Sequence, residues 1–163
     1  KVAVGVDPAV TSTADSDEHG IVTIGFNKKQ GRLYVLGDHT TKGSPKKWAM
    51  KTLEAYEEHE GNMVVGEVNN GGDLVETNLR TVNRFIPFTA VRASKAKAIR
   101  AEPIANLCER GMISFVGEFP LLEEELTSWV PDIGMKSPNR LDAFVWACSY
   151  FVKGKKQARA WSA

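Results

Sequence analysis

With only two cysteines, Cys108 and Cys148, among 163 residues, the chain has no disulfide framework, so its fold must come from a hydrophobic core. Each cysteine falls inside an apolar helical pattern and reads as a small core hydrophobe in a reducing compartment. Histidine is as sparse: His19, His39 and His59 share no ligand spacing and lie in polar turns or at a helix end, which predicts exposed side chains. No apolar run approaches the ~18 residues of a membrane-spanning helix, and no signal peptide is present, so a cytoplasmic location without a membrane partner is expected. Net charge is almost absent too. With 21 Lys and Arg against 20 Asp and Glu, the formal +1 leaves any attraction to an anionic partner to local clusters. There is no Gly-x4-Gly-Lys-Ser/Thr loop for nucleotide phosphates, no internal repeat, no low-complexity tract and no support for Ser-His-Asp catalysis. A strand that begins at once after Lys1, without an initiating Met, gives the expectation of a piece cut from a longer chain.

What is present is an ordinary globular composition, 42% hydrophobic and 25% charged, enough for one sizeable core. One domain is predicted over residues 1–152, followed by a basic tail or linker at 153–163. Val2–Val6 is a run of small or β-branched residues leading into Asp7, and Pro8 ends it because proline has no N–H to extend a ladder. A polar loop over 9–20, a strand at Ile21–Phe26, a turn at Asn27–Arg32 and a strand at Leu33–Asp38 predict an antiparallel meander. Ser44-Pro45 then reads as an N-cap with proline at the first helical position, and Gly61 stops that helix. Met63–Val68 is a buried strand carrying Glu67. Asp73 begins a second helix with Val75, Leu79 and Val82 on one face. Phe88–Ala93 is a fifth strand, and a helical region from Ser94 is followed by a fresh turn starting at Pro103 and ending at Gly111. Ile113–Val116 and a helix around Leu122, Leu126 and Trp129 come next. The last helix is capped by Ser137, and Leu141, Phe144, Val145, Cys148 and Val152 form its buried stripe, with Asp142 beside it. The fold class is α/β, a mixed central sheet with an initial three-stranded meander and helices on both faces.

Asp7 ends the first strand, Glu67 the fourth, and Asp142 lies in the second turn of the last helix. If the fourth strand pairs beside the first, the three can meet at one end of the sheet. Crowded carboxylates repel one another unless cations neutralise them. All-oxygen ligation suits Mg²⁺ or Mn²⁺, and two such ions can drive in-line hydrolysis of a phosphodiester. That is a nuclease chemistry.

The segments Val2–Pro8 with Asp17–Val22, Gly66–Asn69 followed by Gly71-Gly-Asp73, Lys95–Pro103 and Ser137–Trp146 occur in order over nearly the whole chain. Together they resemble the nuclease domain of tailed-bacteriophage terminase large subunits. The resemblance implies a ribonuclease H-like fold, shared with RuvC-type resolvases and retroviral integrases. It also implies that Asp7, Glu67 and Asp142 are metal-binding acids, and that two Mg²⁺ or Mn²⁺ ions act with double-stranded DNA as substrate. Its implied task is cutting concatemeric DNA during genome packaging in the host cytoplasm. The implied partners are a packaging ATPase domain preceding it in the full chain, a small terminase subunit and a portal. One departure is Asn139, where family members often carry an acid one helical turn before Asp142, and it is kept out of the metal set.

Basic residues cluster near these segments. Lys95, Lys97 and Arg100 follow the fifth strand, and Lys136 and Arg140 bracket the start of the last helix, all candidates for holding DNA phosphates without reading sequence. Lys95 is the first choice for a group at the scissile phosphate, Asn69 for a contact to ligand or DNA, and Asp17 for an approach to the metals. Trp48, Trp129 and Trp146 flank apolar stripes and read as core. Alternative readings are a Holliday-junction resolvase, a non-catalytic DNA-docking module of the packaging motor, and an actin-like ATPase, for which the chain is short.

Overall fold

The computed structural model describes residues 1–9, 18–68, 73–93, 96–130 and 138–160, with residues 73 and 153–160 described by their backbone. Three strands come first: β1 (Val2–Asp7), β2 (Glu18–Asn27) and β3 (Arg32–Asp38). They form the antiparallel meander expected from sequence, with Val4 opposite Thr23 and Val22 opposite Asp38. A two-residue strand, β4 (Thr41–Lys42), pairs with the start of β2 and was not foreseen, being too short to carry a pattern. It leads into α1 (Pro45–Glu58), whose Ser44 cap accepts from the Lys47 N–H as predicted. Then follow β5 (Met63–Glu67), α2 (Asp73–Val82), β6 (Phe88–Val91), α3 (Lys97–Glu109), β7 (Ile113–Phe115), α4 (Pro120–Ser128) and α5 (Asn139–Ala160).

The main path of the sheet has the order β6-β5-β1-β2-β3-β7. β5 lies parallel beside β1, and β6 and β7 extend the two edges in parallel. Each side of the sheet has its own core. Val4, Val6, Ile21, Val64 and Leu79 pack with Trp48, Ala49 and Ala55 of α1. On the opposite face Ala3, Val22, Ile24, Val35 and Val65 pack against α5, which Ile104 of α3 and Leu122 of α4 cover from outside. α5 is therefore enclosed between sheet and helices. Every residue from Arg140 to Cys148 is buried, a wider surface than the single stripe expected from periodicity.

Two glycines allow that enclosure. A Cβ on Gly5 would run into the carbonyl oxygen of Ala143, and one on Gly20 into that of Asn139, so α5 rests on bare backbone at two points. Three other expectations change. α3 runs unbroken through Pro103, forgoing one ladder bond instead of restarting there. Cys108 is exposed, because it borders an open groove of about 710 Å³ between α3 and α4, whereas Cys148 is buried as expected. The helix expected to end near Val152 continues to Ala160 through most of the segment read as tail.

Candidate active site

Strand alternation decides which acids can meet. Ala3 and Gly5 face α5, so Asp7, two residues on, faces it as well. Val65 does the same on β5 and carries Glu67 with it. The parallel register of Val6 with Gly66 places Glu67 alongside Asp7 at the carboxyl ends of both strands. Asp142, in the first turn of α5, comes down beside them and is only 5% exposed. Adjacency of β1 and β5, on which convergence depended, is thus met.

Cations from α3 enter this group. Lys97 Nζ lies 2.5 Å from Asp142 Oδ2. One turn later, Arg100 spans two acids, with Nη1 3.5 Å from Glu67 Oε2 and Nη2 3.6 Å from Asp142 Oδ1. Its guanidinium stacks 4.6 Å from the centroid of the Trp146 ring. Trp146, four residues after Asp142 on the same face of α5, donates Nε1–H to Glu67 Oε2 at 3.0 Å. It belongs to the core, as expected, and it also fixes the orientation of an acid. Burial raises the Asp7 carboxyl well above its ordinary value, the charges of Asp142 and Glu67 add to the rise, and Lys97 and Arg100 oppose it.

The donors offered here are carboxylate oxygens, a set that fits hard divalent ions such as Mg²⁺ and Mn²⁺. The acids are spanned by protein cations instead of closing on a single point. The buried Nε of Arg100 has no hydrogen-bond partner among the described residues, and Nη1 meets Glu67 as an ion pair without a hydrogen bond. A planar guanidinium with an unused donor suits a phosphate oxygen.

Other sequence expectations divide. Lys95, Lys136, Asn69 and Asp17 lie outside the described residues. Lys97 and Arg100, read from sequence as contacts to DNA along a helix, sit inside the carboxylate group; their i,i+3 spacing on one helix face was the available signal. Arg140 lies in the interior and not at the surface expected for a phosphate contact. It is 5% exposed and paired with Glu18, Asp38 and Glu125, because the packing of α5 on β2 draws it inward. Asn139 donates its side-chain amide to the Glu18 carbonyl, so it ties α5 to β2. The histidines are not exposed either. His19 is buried between the Ala9 N–H and the Gly43 carbonyl, and His39 and His59 are half-buried against each other.

A mixed sheet of this order, opened by a meander and bearing acids at the ends of β1 and β5 and on the closing helix, defines a ribonuclease H-like domain. More particularly, the chain belongs to the terminase RNaseH-like domain family, whose profile matches residues 4–153. That membership sets aside the actin-like ATPase. No curated protein matches it in sequence. Among solved structures, the large terminase nuclease from thermophilic phage G20c with bound zinc superposes with a TM-score of 0.69 at 15% identity, over 91% of this chain and 80% of that one. The large terminase nuclease domain from bacteriophage SPP1 with bound Mn gives 0.60 at 15% identity, covering 92% and 86%. Thermus thermophilus RuvC gives 0.59 at 15% identity, covering 94% and 95%.

Proposed function

We propose that this domain is a metal-dependent endonuclease that hydrolyses phosphodiester bonds of double-stranded DNA, cutting concatemeric viral DNA during packaging. The observation that carries this reading is the convergence of Asp7, Glu67 and Asp142 at one end of the sheet, joined by Lys97 and Arg100. The three acids hold two divalent ions, Mg²⁺ or Mn²⁺, in keeping with the manganese in the SPP1 domain and the magnesium in a further G20c structure. Such ions supply activation of the attacking water and neutralisation of charge on the leaving oxygen.

The remaining work belongs to the chain. Arg100, whose Nε has no hydrogen-bond partner among the described residues, takes a non-bridging oxygen of the scissile phosphate. Lys97 neutralises Asp142 until substrate and ions arrive, then offers its ammonium to the same phosphate. Trp146 holds Glu67 in position throughout. Lys95, Lys136 and Asn69 hold DNA backbone without reading sequence. In the full assembly the domain, residues 1–152, works beside a packaging ATPase domain, a small subunit and a portal.

Plasmid cleavage in Mg²⁺ or Mn²⁺ tests the assignment. Asp7→Asn, Glu67→Gln and Asp142→Asn should each slow cleavage by on the order of 10² to 10³ while binding DNA as wild type does. Cleavage at the wild-type rate by any of them would overturn its role. The likeness to RuvC favours one second reading, a junction resolvase. A four-way junction cut much faster than linear duplex would favour it, and a linear duplex cut at least as fast supports the packaging nuclease.

A further inference from the structure

On the opposite face of the sheet, against α1, a second group of metal-ligating side chains comes together that the nuclease reading does not use. His39 follows β3, and Glu58 and His59 close α1, His59 being its C-cap. Sequence spacing separates them, but α1 crosses the sheet and brings its end over β3. His39 Nε2 and His59 Nε2 lie 3.3 Å apart. Glu58 Oε1 stands 4.0 Å from His59 Nε2, and Glu58 Oε2 4.0 Å from the other nitrogen of His39, Nδ1. One ligand atom from each of the three falls within 4.8 Å of the others. Gly37 lies directly beneath: a Cβ there would strike His39 Nε2 and come within 3.0 Å of His59 Nε2, so only glycine leaves room for both nitrogens.

We propose that His39, His59 and Glu58 form a second divalent-metal site, separate from the carboxylate centre and selective for a borderline ion such as Zn²⁺ over Mg²⁺. Two nitrogens bound tetrahedrally at ~2.0–2.1 Å are held about 3.3–3.4 Å apart, which is the separation the two imidazoles already have. That distance is long for a hydrogen bond. Imidazole ligands suit zinc, nickel or copper, and hard Mg²⁺ prefers oxygen. Glu58 Oε1, 4.0 Å from His59 Nε2, needs to close by about 0.7 Å on that nitrogen to reach a ~3.3 Å ligand spacing, and its side chain, 63% exposed, has room to move. A bound ion would pin the end of α1 to the end of β3, the strand whose last residue, Asp38, pairs with Arg140 at the start of α5. The role is therefore structural, and it does not depend on the nuclease reading.

The test is Zn²⁺ binding to the whole chain stripped with chelator and held in excess Mg²⁺, with Co²⁺ absorption as the coordination probe. Wild type should bind one Zn²⁺ per chain, show the intense d–d bands of tetrahedral Co²⁺ and melt higher with Zn²⁺. His59→Gln should weaken Zn²⁺ binding by about a hundredfold or more and remove the Co²⁺ bands, while Mg²⁺-dependent DNA cleavage and the metal-free melting point stay as in wild type. If His59→Gln does not fold, Glu58→Gln on the exposed position carries the test, with about a tenfold loss expected. Wild type that binds no Zn²⁺ in excess Mg²⁺, or variants that bind it as wild type does, would overturn the site.

Discussion

Replacing Arg140 by glutamine separates two roles that a basic residue beside an acidic centre can have. In the structure its Nε donates to Asp38 Oδ2 at 2.9 Å, Nη1 to Glu125 Oε1 at 3.0 Å and also to Glu18, and Nη2 to Glu18 Oε1 at 3.3 Å. Burial alone would lower its pKa, but hydrogen bonds to Glu18 and Glu125 and the charge and hydrogen bond of Asp38 outweigh it, and the pKa is raised. Removing the cation leaves Asp38 and Glu125, 11% and 21% exposed, without their partner. Breaking a buried pair from one side costs about 3–5 kcal/mol. Glu18, more than a third exposed, adds little, so the lower figure, about 3 kcal/mol, is the expectation. With an unfolding entropy near 0.34 kcal/mol/K for a chain this long, melting should fall by about 9 °C. The assay is a thermal melt in EDTA beside a salt titration of DNA affinity. A phosphate contact would instead lower the slope of log affinity against log salt by about 0.9 per charge, with little change in melting. A melting point within about 2 °C of wild type, together with a reduced slope, would refute the interior role.

Asp7→Asn should stabilise the metal-free protein at neutral pH while slowing cleavage. The Asp7 carboxyl is raised above its ordinary 3.8, so the folded state holds that proton more tightly than the unfolded one, and the stabilisation it gives is lost as pH rises through the folded value. An amide cannot ionise, so melting in EDTA should rise by about 2–4 °C per kcal/mol of relief, a gain that fades as pH falls from the raised folded value toward 3.8 and is absent below it; an unchanged melting point at pH 7 would contradict it. Trp146→Phe keeps a ring for Arg100 and loses the bond to Glu67, so half-saturating Mg²⁺ for cleavage should rise ~10–100-fold with the saturated rate nearly restored, and an unchanged Mg²⁺ dependence would remove Trp146 from the site. Gly5→Ala pushes a methyl group into the Ala143 carbonyl, which should cost about 1–3 kcal/mol in a denaturant titration and slow cleavage; wild-type stability would mean that α5 can yield there.

Elements governed by local rules were readable from the chain. Ser44-Pro45 set the start of α1, while its end comes earlier than the expected Gly61, with His59 as C-cap and Glu60 turning left-handed at φ 49°. Convergence of the acids was readable only as a condition, because no local pattern states that β5 will lie beside β1. Side chains whose partners come from distant segments were not readable. Arg140 looks like any basic residue near an acid until β2 and α4 bring Glu18 and Glu125 to it. His39 and His59 look solvated until the end of α1 meets the end of β3. Cys108 follows Ile104 at helical spacing and still faces outward, since the groove between α3 and α4 leaves that turn uncovered.

The acids at the carboxyl ends of β1 and β5 would push apart in a chain without ions, and the fold answers in two ways. Backbone contact at Gly5 and Gly20 fixes α5, so Asp142 cannot retreat from Asp7 without opening the core around Phe144 and Trp146. Lys97 and Arg100 meanwhile place positive charge among the acids. On the proposed function the same two side chains would engage the phosphate, so arrival of ions and DNA would exchange one set of charge pairs for another while α5 keeps its seat. Metal affinity and DNA binding would then be linked, each strengthening the other by the same factor.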